Sequence, residues 1–343
     1  MLRLTSLAIG CLAVALSGSA SPVGENSSMK QSTDRIALAV HGGAGTIDRS
    51  KMTPEREGEF RAGIENALRA GREILDRGGS SLDAVEAAVR VLEDDPHFNA
   101  GKGSVFTSAG TNEMDAAIMD GKTLNAGAVA GVQHVRNPIV LARTVMEKSK
   151  HVMMIGSGAE EFAKANGIEL VDAKYFFTQH RWDELQQKKA EQAGGEVGKR
   201  FIISNADSRG TVGAVARDSH GNLAAATSTG GTTNKLPGRV GDSPVIGAGT
   251  YANNATAAIS CTGDGEYFIR AAVAHQVSAL MELRGMSVAE AAERALADSQ
   301  KLGGTGGLIA LDQKGNLSLP FNTSGMYRGY LAKTGKFVIE IYK

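Results

Sequence analysis

The sequence predicts a mixed α/β protein in which helices lie against sheets, and three observations carry that prediction. Short apolar runs rich in Val, Ile, Leu and Ala recur along the chain, bounded by glycine or turn residues, as at 35–41, 211–216, 223–229 and 307–312. Segments with helical spacing or recognisable helix ends stand between them, at 53–79, 82–92, 137–149, 265–284 and 287–300. The 43 glycines are too many for a helical bundle and follow no period, while 42% hydrophobic residues exclude a disordered or collagen-like chain. A length of 343 residues allows one large domain or two.

The first 20 residues read as a separate module. Arg3 supplies a positive n-region, Leu7 to Leu16 an apolar h-region and Gly18-Ser19-Ala20 a small-residue cleavage site, which is the pattern of a signal peptide. Export to a periplasm or the exterior is therefore expected, with 21–33 as a flexible N-terminal segment. Lipid attachment at Cys11, behind Ala8-Ile9-Gly10, is the alternative. No later apolar run approaches the roughly 20 residues of a membrane span. Lys plus Arg equals Asp plus Glu at 37 each, so no net field draws the chain to nucleic acid or an anionic membrane, and a small polar ligand fits better. Without the signal, Cys261 stands alone and no intrachain disulfide forms; the seven scattered histidines offer no i, i+4 pair for zinc.

Taken in order, Arg35 to His41 reads as a buried strand ending at Gly42-Gly43-Ala44-Gly45, where the backbone is expected to turn sharply. Thr53-Pro54-Glu55 opens a helix, with proline and acids in its first turn, that Gly78-Gly79 stops. Leu82, Val85, Ala88, Val89 and Leu92 form the stripe of a second helix. Residues 103–131 revert to short glycine-punctuated strands, and Asn137 to Ser149 is helical again. Residues 183–209 are polar, lack a sustained apolar stripe and contain Gly194-Gly195, so they read as a linker; the first half reads equally as a solvated helix. Thr211–Ala216 and Leu223–Thr229 flank Ser219-His220-Gly221-Asn222, which is hairpin chemistry that brings Thr229 alongside Thr211. Helices follow over 265–284 and 287–300, the second opening with the capping box Ser287-Val288-Ala289-Glu290. A second hairpin, 307–312 to 315–318, returns the chain to the sheet.

Thr211 carries the chemistry. A hydroxyl is a poor nucleophile until a base stands within hydrogen-bond reach, and an α-amine on the same residue, with an unperturbed pKa of about 7.7–8.0, is such a base. That amine exists only after the Gly210–Thr211 bond breaks, by attack of the Thr211 hydroxyl on the Gly210 carbonyl, an N-to-O shift and hydrolysis. Gly210 leaves the approach clear. The residues alone leave open a second reading, in which 211–216 is only a buried strand entered through a turn. Thr229 likewise reads as an orienting hydroxyl or as one half of an ordinary cross-strand pair.

Thr211-Val212-Gly213-Ala214-Val215-Ala216, Thr227-Ser228-Thr229-Gly230-Gly231 and Asn234-Lys235-Leu236-Pro237-Gly238-Arg239-Val240-Gly241-Asp242-Ser243-Pro244 together resemble the plant-type L-asparaginase and isoaspartyl peptidase family of N-terminal nucleophile hydrolases. His41-Gly42-Gly43-Ala44-Gly45, Phe98 to Gly103, Asp115 to Gly131 and Cys261-Thr262-Gly263 extend the likeness over about 34–330. The resemblance implies a four-layer αββα sandwich. It also implies self-cleavage into an α subunit (34–210) and a β subunit (211–343), and association of two such units as an (αβ)2 heterotetramer. The roles it implies are nucleophile and base for Thr211, orientation for Thr229, and an oxyanion hole of Thr262 and Gly263. Arg239 and Asp242 would clamp the α-carboxylate and α-amine of an aspartyl group, with Gly265 and Asn99 also at the substrate. By residue type alone, Arg239 and Asp242 are also readable as a surface ion pair. The backbone of Leu92, Glu93, Asp95, Phe98, Ala100 and Lys102 matches a loop that holds a structural sodium ion; no cofactor is implied for catalysis.

The expected activity is hydrolysis of β-aspartyl dipeptides and L-asparagine through a β-aspartyl-enzyme ester, releasing L-aspartate. A glycosylasparaginase-like amidase is the alternative, and a non-catalytic exported amino-acid-binding protein a third. An export signal departs from the cytosolic habit of bacterial relatives. Asp264, beside the implied oxyanion donors, sits at a variable position where an acid tunes substrate preference or disfavours negatively charged extensions of the leaving group. The absence of Gly-x-Ser-x-Gly argues against an esterase, and no P-loop is present.

Overall fold

In the computed structural model, which describes residues 36–193 and 210–343, the apolar runs pair into two sheets that stack face to face between helices. The signal segment 1–20 with Cys11, the segment 21–33 and linker residues 194–209 lie outside the described residues. From the N-terminus the elements are β1 (Ala37–Gly45), α1 (Pro54–Asp76), α2 (Ser81–Asp94), β2 (Met114–Asp120), β3 (Ala126–Val132), α3 (Pro138–Lys148), β4 (Met153–Ile155), α4 (Gly156–Ala165) and α5 (Gln179–Ala193). After position 210 come β5 (Val212–Arg217), β6 (Leu223–Thr229), β7 (Thr250–Ala252), β8 (Ala257–Gly263), α6 (Gly265–Ala271), α7 (Val273–Arg284), α8 (Val288–Lys301), β9 (Gly306–Asp312), β10 (Leu317–Ser318), β11 (Gly325–Leu331) and β12 (Phe337–Tyr342). The larger sheet has the order β12-β11-β1-β5-β6-β2-β3-β4 and the smaller β10-β9-β8-β7.

Strand alternation divides the apolar residues among three cores. Leu38 and Val40 of β1 point to Ile64 and Leu68 of α1 and to Val85 and Val89 of α2. Ala37 and Ala39, one residue out of phase, face the second sheet together with Val215, Ala225, Ala258, Ile309 and Leu311. Leu308 and Ala310 of β9 point the other way, onto Val277 of α7 and Leu296 of α8. Helix, sheet, sheet, helix is the resulting order, the αββα sandwich that the resemblance implies.

The helix signals act where the sequence places them. Thr53 caps α1, Ser80 caps α2, and Ser287 with Glu290 forms the reciprocal capping box of α8. Three expectations are corrected. The strand beginning near 36 does not turn at Gly42 but runs through Gly45, because β11 pairs alongside Gly43–Gly45 and takes up their backbone groups; the irregularity is a bulge between His41 and Gly43. The helix expected over 265–284 is broken at Ala272, whose φ of 48° is left-handed. The break frees the first N–H groups of α7, and Ala274 and His275 donate to the carbonyls of Ala248 and Gly247. Finally, 183–193 belongs to α5, the solvated-helix reading of that stretch.

The layer between the sheets is built largely from alanine, which leaves little side-chain volume to close over a void. Ile309→Ala is expected to lower unfolding stability by about 2–5 kcal/mol, measured as a fall in denaturant midpoint at unchanged m; a loss under about 1 kcal/mol would contradict the packing described.

Candidate active site

Thr211 stands immediately before β5, whose antiparallel register with β6 sets Val212 opposite Ser228. That register brings the Thr211 and Thr229 side chains together, both nearly buried, and the Thr211 hydroxyl donates to Thr229 Oγ1 at 3.1 Å. Thr229 Oγ1 also accepts from the Gly231 N–H at 2.9 Å and donates its own proton to the Gly210 carbonyl at 3.2 Å. A hydroxyl has one proton to give, so the direction of this relay is fixed from Thr211 through Thr229 to the carbonyl of the Gly210–Thr211 bond. The Gly210 oxygen has a second donor, Asn99 Nδ2 at 2.7 Å. Asn99 is held by donating also to the Gly231 carbonyl at 2.7 Å and by accepting from Val105 N–H at 3.0 Å.

Gly43 permits this approach. Its φ is +112°, and a Cβ there would lie 2.7 Å from Gly210 Cα. The bulge that displaced the expected turn in β1 thus delivers bare backbone against the Gly210–Thr211 bond.

The implied oxyanion residues have different surroundings. Thr262 Oγ1 accepts from the Ala44 N–H at 3.2 Å, while Gly263 borders the small cavity at Thr211. The groups bonded to the Gly210 carbonyl are Asn99 and Thr229. Asp264 accepts from Thr305 N–H at 2.9 Å and from the Thr305 hydroxyl at 2.8 Å, so it fixes the loop entering β9.

Arg239, Asp242 and Gly265 are brought together. Asp242 is buried, and among the described residues its Oδ2 has no hydrogen-bond partner. Burial pushes its carboxyl up to about 7, against the pull of the Arg239 guanidinium. Arg239 is not a surface ion pair with Asp242: Nε and Nη2 grip Glu266 of α6 through two bonds of 2.9 Å. Gly265 backs both groups, since a Cβ there would meet Asp242 Oδ1 at 2.9 Å and Arg239 Nη2 at 3.0 Å.

Sequence reasoning gave no role to several buried groups around this site. His41 is fully buried and burial holds its imidazole down at about 3, so it is neutral at pH 7; a backbone hydrogen bond with Thr211 acts in the opposite sense. Its Nε2 lies 2.9 Å from Ser260 Oγ, which lies 2.7 Å from Thr227 Oγ1, which in turn lies 2.6 Å from Thr250 Oγ1. Thr250 then donates to the Ser243 carbonyl at 3.0 Å. Neutral hydroxyls therefore link the backbone of Thr211 to the residue after Asp242. Buried Asp115, opposite Thr229 in the β2–β6 register, and Lys235 add a charge pair beside Arg239. Only the placing of His41 and Asp115 inside quoted motifs signalled them; Glu266 gave no signal.

The Leu92–Lys102 segment spans the C-terminus of α2, where helix carbonyls concentrate negative potential. The Asp95, Phe98 and Ala100 carbonyls each accept one backbone N–H, which leaves a lone pair on each. Any Cβ at Gly101 would collide with the Glu93 carbonyl, and one at Gly103 with that of Phe98. Among the described residues no group of three or more His, Cys, Asp or Glu side chains could hold a metal ion. The Glu93 side chain serves another end: burial raises its carboxyl to about 8, and it accepts from Ser228 at 2.6 Å and from Ile139 N–H at 3.0 Å.

Two cavities meet this site. One, of about 10 Å3, lies between Thr211, Thr229, Arg239 and Asp242. The other, of about 340 Å3, lies over Gly42–Gly45, Asn99 and Phe60. Among the described residues, Gly210 is the one in the walls of both.

A family profile described as asparaginase matches residues 34–340. The chain belongs to the asparaginase family. Within it, the isoaspartyl peptidase of Escherichia coli (strain K12) is 54% identical over 88% of this chain and 94% of its own length. The isoaspartyl peptidase/L-asparaginase of Mus musculus is 45% identical over 85% and 86%. The plant-type L-asparaginase of Thermococcus kodakarensis is 46% identical over 86% and 96%. The two-sheet sandwich with its outer helices is consistent with the fold of the family.

Between pH of about 4 and about 7 the folded chain holds a proton on Asp242 that the unfolded chain has released, so this group's contribution to stability declines as pH rises through that window. Asp242→Asn removes the decline. Its stability relative to the parent is expected to rise by a few kcal/mol, in order of magnitude, from pH 4 to 7, read by urea unfolding of uncut protein; parallel curves would contradict the burial assigned to Asp242.

Proposed function

We propose that this asparaginase-family hydrolase cuts its own Gly210–Thr211 bond and then hydrolyses β-aspartyl dipeptides and L-asparagine with Thr211 as an N-terminal nucleophile. The observation that carries the proposal is the relay from the Thr211 hydroxyl through Thr229 to a Gly210 carbonyl that Asn99 also polarises.

In self-cleavage the Thr211 oxygen attacks the Gly210 carbonyl carbon. Its proton passes to Thr229, and the Thr229 proton passes to the carbonyl oxygen, whose developing charge the Asn99 amide stabilises. The C–N bond then breaks as the proton on that oxygen passes to the nitrogen, and an ester joins Gly210 to Thr211 Oγ1. Water hydrolyses the ester, leaving a Gly210 carboxylate and a free Thr211 amine. In turnover that amine takes the hydroxyl proton while the oxygen attacks the substrate's β-carbonyl, and the proton leaves with the departing amine. Water then releases L-aspartate. The Nη1 side of Arg239, outside the Nε and Nη2 grip on Glu266, suits the substrate's α-carboxylate, and the unpartnered Asp242 oxygen suits its ammonium. Gly263, bordering this pocket from β8, and Thr262, the residue before it, would serve the substrate oxyanion. The names of the relatives support this substrate class over glycosylated asparagine.

Cutting the chain does not free its halves. In the large sheet β1 pairs with β5 and β11, and β2 pairs with β6, so strands from before and after the cut interleave. Assembly of two αβ units into (αβ)2, and export directed by 1–20, are carried over from the family likeness and the signal-peptide pattern. The carbonyl cradle at Leu92, Glu93, Asp95, Phe98, Ala100 and Lys102 suits a hard cation such as sodium, which when bound would stiffen the loop that carries Asn99; exchanging sodium for choline should then lower Tm. Among the described residues no helix is long and apolar enough to cross a membrane.

Thr211→Ala is expected to abolish both cleavage and hydrolysis. Asn99→Ala should slow cleavage about a hundredfold or more, and Arg239→Ala should mature normally with a raised KM. Denaturing mass spectrometry reads the internal cut and the signal or lipid site together, and light scattering reads the assembly. Full amidase activity in Thr211→Ala would refute the mechanism.

A further inference from the structure

We infer that the cavity of about 340 Å3 beyond Gly210 is the subsite for the departing residue of a β-aspartyl dipeptide, and that Arg56 at its rim recognises that residue's free α-carboxylate. This subsite rests on the hydrolase reading above, and supplies the half of the substrate that the Arg239–Asp242 clamp leaves unplaced.

The arrangement of the two cavities is the first ground. With Gly210 in place, the space at the clamp is about 10 Å3, enough for roughly one water. Among the described residues Gly210 alone borders both spaces, so withdrawal of the severed glycine end joins them across Thr211. An aspartyl group seated on Arg239 and Asp242 then presents its β-carbonyl at Thr211 and sends whatever it carries beyond into the larger space. That space falls in the range of small-ligand sites, about 300–1,000 Å3.

The chemistry of the wall is the second. Phe60 and Tyr327 stack at 4.2 Å and, with Ile47 and Met52, make an apolar face that suits an apolar side chain. The carboxylates bordering the cavity are already matched. Asp48 lies 3.8 Å from Lys51 and accepts from Ser50, while Glu184 meets Arg181 and His180 at 3.0 Å each. Arg56 is different: among the described residues its guanidinium makes no carboxylate pair, and it lies 5.8 Å over the Phe60 ring with Nη2 at 3.2 Å from His180 Nε2. A half-buried planar guanidinium beside an apolar wall is a carboxylate receptor, and a charge-assisted bond of this kind is worth about tenfold in affinity or slightly more. Asparagine releases only ammonia, which is too small to reach Arg56.

The experiment compares mature parent and Arg56→Gln enzymes on β-aspartyl-leucine, on β-aspartyl-leucinamide, which lacks the carboxylate, and on L-asparagine. The parent is expected to favour the acid over the amide by about tenfold in kcat/KM, and Arg56→Gln to erase that preference through KM. Acid and amide handled alike by the parent, or a preference that survives the substitution, would overturn the assignment. So would losses of one size on all three substrates, since Arg56 would then act through the fold. Asparagine turnover reports separately on the hydrolase reading: if the parent hydrolyses none of the three, that reading fails itself.

Discussion

A residue held in a paired strand cannot choose the face on which its side chain emerges, and the site follows from that restriction. Slipping β5 against β6 by one position would send Thr211 and Thr229 to opposite faces. The register resists such a slip because both strands are buried on both sides, with alanine and valine filling the helix face and the inter-sheet face alike. The two strands also occupy the middle of eight, so neighbours on each side fix them. Precision at the hydroxyl pair therefore comes from the main chain of a central hairpin, the most rigid support this architecture offers.

Around that hairpin, polar groups are buried in two different ways. The hydroxyl relay and the His41–Ser260–Thr227–Thr250 chain are neutral, and satisfied links of this kind confer rigidity without the penalty of isolated charge. The clamp is charged and incomplete. Glu266 orients Arg239 from one side, but Asp242 keeps an oxygen without a partner, at a price the folded chain accepts where a ligand supplies what is missing. On the proposed function, one set of interactions positions the reacting atoms, and the other selects what is brought to them.

Most of the scaffold was legible in the sequence because its signals are local. Thr53-Pro54, Ser287-Glu290 and the Ser219–Asn222 turn each act within a few residues, and the helices and hairpin they announce are present. The failures are non-local. Gly42–Gly45 looks like a turn until β11, almost 300 residues later, lies beside it, and Ala272 looks like helix interior until the Gly247 and Ala248 carbonyls claim the N–H groups after it. The candidate site divides in the same way. Thr211 and Thr229 follow from hairpin logic, whereas the Asn99 contact to Gly210 and the Glu266 grip on Arg239 join segments whose separation in the chain carries no pattern. For those, only the family likeness pointed to Asn99, and nothing pointed to Glu266.

The position of Gly210 as a shared wall has a consequence for when the protein works. On the proposed function, a chain that blocks its own pocket with the segment it severs would need no inhibitor to stay silent while it is being made. In the self-cleavage proposed above, the severing group and the severed bond belong to one molecule, so the delay would be a first-order clock that neither dilution nor crowding resets. A population of these molecules would carry a record of its age, with recently made copies dormant and older ones active.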